Sequence, residues 1–272
     1  MTESEIKLSV FTKPWKEQPI EQVAEFVGSL GFDGIELPLR PGFQLEPQDA
    51  EKGLPKLAEK MKSYGLRIYS VASSTDEQIF AGCAEAGVPM IRIMIEIGPD
   101  GYMETIRRER AKLREVIPLC EKYGIKIGVQ QHYGDYLVDA MSLRHFLQDF
   151  DPRHVGAIWD SAHDALAGQV PEYGLDTVWD CLGMVNFKNA YYKRHNGPEA
   201  QEADWGRYFT TGRQGLASWP RAAAYLQKRG YRGVVCLTAE YDAEHEVDRL
   251  ITEDAAYARS LFGSEPWNGG QA

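Results

Sequence analysis

Short runs of β-branched and aliphatic residues alternate with longer stretches of helical periodicity from one end of the chain to the other. This is the sequence form of repeated βα units around a parallel sheet. Eight runs read as strands: IKLSVF from Ile6, GIELP from Gly34, LRIYSVAS from Leu66, MIRIMIE from Met90, IKIGVQQH from Ile125, VGAIWD from Val155, MVNFKNA from Met184 and GVVCLTAE from Gly233. Between and after them the spacing predicts helices over 18–29, 47–64, 75–86, 102–123, 138–149, 174–182, 218–229 and 243–262. Several of these end at a glycine just ahead of the next strand, as in YGLRIYS, AGVPMIR and YGIKIGV, which suits the left-handed residue that closes a helix. The expected fold is α/β, a (β/α)8 TIM barrel forming one domain over residues 1–272, with 264–272 a loose tail on which only Trp267 has the means to dock.

Strand starts are evenly spaced until the last interval, where Met184 to Gly233 spans 49 residues. The extra segment, NAYYKRHNGPEAQEADWGRYFTTGRQGLASW, carries Tyr191, Tyr192, Trp205, Tyr208 and Trp219 among charged residues. Long connections without structure of their own are usually functional, so it reads as a loop covering the substrate.

Composition narrows the partner. The formal charge of −10, from 40 acidic and 30 basic residues, opposes a nucleic-acid or anionic-membrane surface. A small neutral or cationic molecule fits better. The N-terminal MTESEIKLSV lacks a basic patch followed by an apolar run, and no stretch has the length of a membrane span, so a cytoplasmic protein is expected. Homo-oligomerisation is left open. Cys83, Cys120, Cys181 and Cys236 are far apart and read as reduced core thiols. The chain contains no GxGxxG, Walker loop, GxSxG or HExxH.

Barrel strands alternate between interior and helix-facing side chains, and active sites form at the strands' carboxyl ends. With Ile91, Ile93 and Ile95 facing helices, Arg92, Met94 and Glu96 point inward, Glu96 uppermost. Glu36 points inward between Ile35 and Leu37. The same parity aligns Gln130 with His132, Ile158 with Asp160, Asn186 with Lys188, and Thr238 with Glu240; His163 follows one turn beyond Asp160. Buried charge is costly unless it is paired or coordinates something, so this gathering of Glu36, Glu96, Gln130, His132, Asp160, Asn186, Lys188 and Glu240 reads as a site. A lone Glu36 or Lys188 reads equally well as half of a structural ion pair. Trp15 is either an apolar wall for a sugar ring or core, and Arg213 in GRQG either meets an anionic group or is solvated. His145, His154 and His245 read as surface or satisfied core.

In this order, GFDGIEL, GIKIGVQQH, WDSAH, VNFKNA, GRQGLASWP and GYRGVVCLTAEY resemble the xylose isomerase-like superfamily of sugar phosphate isomerases and epimerases over nearly the whole chain. The resemblance implies a divalent metal held by strand-end ligands on the fifth to eighth strands. Asp160 and Glu240 match that pattern, while Gln130 stands where the family has Glu and Asn186 where it has His. His163 matches the family's histidine after the sixth-strand Asp. Lys188 matches its lysine, followed by Asn189 where an Asp is usual.

What the resemblance implies is a metal-assisted sugar isomerase or epimerase, with Glu240 as base and His163 or His132 as acid beside Lys188. Glu36, Glu96, His132, Trp15 and Arg213 are the expected substrate contacts. Asp160, Glu240, Gln130 and Asn186 are the expected metal ligands, and an oxygen-rich set favours Mn2+ or Mg2+ over Zn2+. Gln130 cannot take a proton, which favours a lyase, a dehydratase, a one-base isomerase or a glycoside-cleaving enzyme over a two-base epimerase. A barrel that merely binds a sugar or partner is the alternative of another class.

Overall fold

The structure, a computed structural model, describes residues 6–263; the expected tail and Trp267 lie outside the described residues. Eight parallel strands close into a barrel: β1 (Lys7–Phe11), β2 (Gly34–Pro38), β3 (Arg67–Ala72), β4 (Met90–Met94), β5 (Lys126–Gln130), β6 (Val155–Asp160), β7 (Leu182–Phe187) and, after an antiparallel pair, β10 (Val234–Leu237), which closes against β1. All eight coincide with the apolar runs. Helices α1 (Ile20–Ser29), α2 (Ala50–Ser63), α3 (Glu77–Ala86), α4 (Tyr102–Tyr123), α5 (Ala140–Leu147), α8 (Trp219–Lys228) and α9 (Val247–Phe262) follow the predicted segments. After β6 the pattern differs, because a short α6 (Ser161–Leu166) precedes α7 (Pro171–Val178) where one helix over 174–182 was expected. Gly87 and Gly124 take the left-handed conformation at the ends of α3 and α4.

Period-two alternation splits the buried side chains into two groups. Ile35, Leu37, Ile91, Ile127, Val129, Val185 and Val235 face the helices in the main core. Phe11, Met90, Ile158, Met184 and Cys236 fill the barrel itself. Gly128 makes that filling possible, since a Cβ there would stand 2.5 Å from Ile158 Cδ1 and 2.7 Å from Met90 Sδ. Above this plug the barrel side chains become polar. All four cysteines are free and buried, as their spacing suggested.

The long segment after β7 is ordered differently from the expected loop. Residues Asn189–Arg194 (β8) and Trp205–Thr210 (β9) pair as an antiparallel ribbon that hydrogen-bonds to no barrel strand. Tyr191 faces Tyr208 across it. Trp219 lies outside the ribbon and is buried against Phe187, its Nε1 donating to Lys188 O at 3.0 Å. No helix among the described residues is long and apolar enough to cross a membrane.

Candidate active site

Two linked groups of polar side chains occupy the carboxyl end of the barrel. In the first, Glu36 Oε1 accepts from Ser70 Oγ at 3.0 Å and from Arg92 Nε at 2.8 Å. Arg92 NH1 donates onward to Gln130 Oε1 at 2.5 Å, and Gln130 Nε2 donates to Asp160 Oδ2 at 2.8 Å. The other oxygen of Asp160 caps α6, accepting from the amides of Ala162 at 3.0 Å and His163 at 3.3 Å. Asp160 is fully buried, and burial pushes its carboxyl up to about 6 despite the nearby Lys188 charge and the amide donors.

The second group centres on Glu240, whose Oε1 lies 2.5 Å from Lys13 Nζ and whose Oε2 lies 2.7 Å from Lys188 Nζ. Burial alone would raise this carboxyl, but the ammonium groups of Lys188 and Lys13 outweigh it and hold the group well below the usual carboxylate range. Lys188 is buried, and its ammonium sits 3.5 Å from the centroid of the Phe209 ring. Its backbone is fixed from two sides. Ser161 Oγ donates to Lys188 O at 2.6 Å and accepts from Lys188 N at 3.0 Å, alongside the Trp219 indole.

Glu240 does not arrive at the mouth by strand alternation. β10 ends at Leu237, and Ala239 then adopts φ 51°, the left-handed region and the only positive φ of a non-glycine residue among those described. That conformation costs an alanine on the order of 1–2 kcal/mol. Its effect is to turn the chain so that Glu240 faces a cavity of about 490 Å3 lined by Lys13, Phe43, Arg207, Phe209 and Asp242. Arg207 belongs to β9, pairs with Asp242 at 2.8 Å, and lays its guanidinium 3.7 Å from the Phe209 centroid. Lys13, Arg92, Arg207 and Phe209 were not singled out as site residues in the sequence. For Arg207 and Phe209 a signal existed, since WGRYFT places both on one side of a strand.

The remaining expected residues fall into three groups. His132 and His163 do come together, with ring centroids 4.3 Å apart. Burial and the charge of Lys188 push His132 down to about 4 and His163 well below the usual histidine range, so both lean toward the neutral imidazole. His132 Nδ1 lies 2.9 Å from Tyr133 O, a carbonyl that can only accept, so that nitrogen carries the proton. Both ring nitrogens of His163 and both amide atoms of Asn186 are buried with no hydrogen-bond partner. Glu96 does not crown the barrel interior. β4 ends at Met94, and Glu96 is exposed beyond it, its backbone bridged to Tyr136, on a second cavity of about 410 Å3 shared with Arg40 and Arg92.

Two expected substrate contacts lie away from the mouth. Trp15 is buried in the core, edge-on to Phe26, with its Nε1 donating to Asp248 Oδ1 at 2.7 Å, so its core reading is the one observed. Arg213 is exposed and stacks on Tyr257 of α9 at 3.6 Å.

Asn189, the departure beside Lys188, has a structural role. Its Nδ2 donates to Gly212 O at 2.8 Å and Ala217 O at 2.9 Å, and its Oδ1 accepts from Ala217 N at 2.8 Å. Only an amide can donate and accept in this way. A Cβ at Gly215 would stand 2.1 Å from Asn189 Oδ1, which explains a glycine in the GRQG stretch.

A family model described as xylose isomerase-like TIM barrel matches residues 24–261. The chain belongs to this family. None of the curated proteins searched matches the xylose isomerase-like chain. Similar solved structures include the probable 3-DHS dehydratase AsbF of Bacillus anthracis, involved in petrobactin synthesis (TM-score 0.71, 14% identity, covering 95% of this chain and 100% of that one). Another is the 3-keto-D-glucoside 4-epimerase YcjR of E. coli (TM-score 0.70, 14% identity, covering 94% and 99%). A third is D-psicose 3-epimerase of Clostridium cellulolyticum (TM-score 0.68, 15% identity, covering 94% and 99%). At these identities the likeness is one of fold.

The family resemblance implied a divalent metal, and the donor set present does not fit one. Gln130 turns its amide nitrogen, a donor, toward Asp160. Both oxygens of Glu240 are taken by ammonium groups. Among the described residues, no three His, Cys, Asp or Glu side chains converge as a metal site. Gln130 therefore turns a donor where an oxygen ligand was expected, while Asn186 and His163 keep polar atoms with no hydrogen-bond partner.

Proposed function

We propose that this barrel is an enzyme acting on a small carbohydrate or keto-sugar, moving a proton at a carbon next to a carbonyl with Glu240 as the base. The observation that carries the reading is the Lys188–Glu240 pair, 2.7 Å apart at the barrel mouth. A substrate carbonyl oxygen that takes over the Lys188 hydrogen bond frees Glu240 Oε2 beside the adjacent carbon. Glu240 then removes that carbon's proton, and the C–H electron pair passes into an enolate whose oxygen the Lys188 ammonium stabilises. Asn186 and His163, with unpartnered buried atoms, offer hydrogen bonds to neighbouring hydroxyls.

Two outcomes complete the step. Transfer of the proton from Glu240 to the neighbouring hydroxyl-bearing carbon, with that hydroxyl's proton passing to the enolate oxygen, gives an isomer. Loss of a β-hydroxyl, protonated from Glu240 and leaving as water, gives a dehydrated product. Gln130 has no proton to exchange, which favours these one-base outcomes over epimerisation between two bases. The names of the similar structures, sugar epimerases and a dehydratase, support the carbohydrate class of substrate.

The test is deuterium exchange from D2O, followed by NMR, across ketohexoses, 3-keto-glycosides and hydroxylated cyclic ketones. Exchange next to the carbonyl by the wild type, lost in Glu240→Gln, is the expected result. Exchange undiminished in Glu240→Gln, or no exchange with any of these classes, overturns the reading and favours a barrel that binds sugar without turning it over.

A further inference from the structure

The polar chain at the mouth has a direction. Glu36 fixes Arg92, and a guanidinium can only donate, so the amide oxygen of Gln130 must face Arg92 and its NH2 must face Asp160. The amide cannot flip without setting NH2 against NH. A metal ligand has to present a lone pair, and Gln130 presents a hydrogen. Lys188 Nζ bonds to Glu240 Oε2, so one of the two carboxylates that would hold an ion already holds an ammonium. The Lys188 side chain is only 2% exposed and sits against Phe209, so it has little room to swing away into water. A dication brought there would face a fixed positive charge with one carboxylate fewer than the family pattern supplies.

We infer that the barrel mouth does not take a divalent ion and that this protein does its chemistry without a metal, with the Lys188 ammonium supplying the positive charge beside Glu240. The inference deepens the proposed reaction and rests on it for the role of Lys188, though not for the absence of metal binding. A single charge on a buried stem can be shared with a substrate oxygen as a hydrogen bond, and it can give up a proton, which a metal cannot. Substrate oxygens at the mouth would then be held by Lys188 Nζ and by the unpartnered amide of Asn186.

The protein as purified is dialysed, analysed for metal, and titrated with Mn2+, Mg2+ and Zn2+ by calorimetry and thermal shift. The expected result is far less than one equivalent of metal, no saturable heat up to millimolar Mn2+, and deuterium exchange unchanged in EDTA. The double variant Gln130→Glu with Lys188→Met, its fold checked by circular dichroism, should gain a saturable Mn2+ response at least tenfold tighter than any in the wild type. A wild-type titration that saturates near one equivalent and is lost in Asp160→Asn overturns the inference. So does a folded double variant as indifferent to Mn2+ as the wild type. Metal binding together with Glu240-dependent exchange would sink this inference and leave the proposed reaction standing. Absence of both would do the reverse.

Discussion

Lys188 Nζ and Glu240 Oε2 meet at 2.7 Å although their backbones come from different barrel strands, one just after β7 and the other beyond the left-handed turn after β10. The pair keeps Glu240 ionised and occupied until something displaces the ammonium. Removing the lysine should therefore change the pH dependence as well as the rate. In Lys188→Met, proton exchange should fall about 100-fold or more, as when one preorganised donor is lost. The acidic limb of its pH profile should move to higher pH, because the positive charge that depresses Glu240 is gone. A reduced rate with an unmoved limb would show that Lys188 acts only on the substrate.

Ala239 turns Glu240 into the site at the cost of a left-handed backbone. Ala239→Gly removes a penalty on the order of 1–2 kcal/mol but adds about 0.4–1 kcal/mol of unfolded-chain entropy, so urea denaturation should show a net gain of about 0–1.6 kcal/mol. The same change loosens Glu240, and exchange should slow. Ala239→Val, β-branched in a conformation that resists it, should lose about 2 kcal/mol or more.

Asn189 donates to two carbonyls while accepting from Ala217 N and Ala190 N. In Asn189→Asp an ionised carboxylate would face both carbonyls, costing about 2–4 kcal/mol at pH 8. That repulsion raises the introduced group's folded pKa, so stability should recover as pH falls and the acid protonates. Equal losses at pH 5 and pH 8 would refute the assignment.

Asp164 is buried between Trp159 Nε1, at 2.9 Å, and Ala140 N, at 3.0 Å, and burial pushes its carboxyl up to about 7. Its folded pKa lies above the ordinary value, so its contribution to stability is full below about pH 4 and is lost as pH rises through 7. His132 and His163, held neutral, act in the opposite sense below pH 6.5. The difference between wild type and Asp164→Asn, measured by chemical denaturation from pH 4 to 8, isolates the aspartate. The variant should be less stable throughout, with the gap narrowing toward pH 8.

How much of this could be read from the sequence depends on where each residue sits relative to the end of its strand. Glu36 and Arg92 lie within β2 and β4, where alternation holds, and both point inward as expected. Glu96 and Glu240 lie beyond the last paired residue, where alternation has no physical basis. One ended exposed on the rim, and the other reached the mouth only through Ala239. The ribbon of β8 and β9 was hidden because glycine, charge and aromatic residues mask its alternation, and its pairing is with itself. The orientation of Gln130 was beyond any linear reading, since it follows from an arginine 38 positions away that is itself fixed by Glu36.

The β8–β9 ribbon carries Arg207 and Phe209 to the mouth yet shares no hydrogen-bonded edge with the barrel. Its consequence is one of evolvability. Insertions, deletions and substitutions between the seventh and eighth barrel strands can remodel the wall above Lys188 without disturbing closure of the sheet, whereas the Lys188–Glu240 couple is tied to that closure and cannot drift. On the proposed reading, substrate preference and reaction chemistry would lie in separable parts of one small barrel.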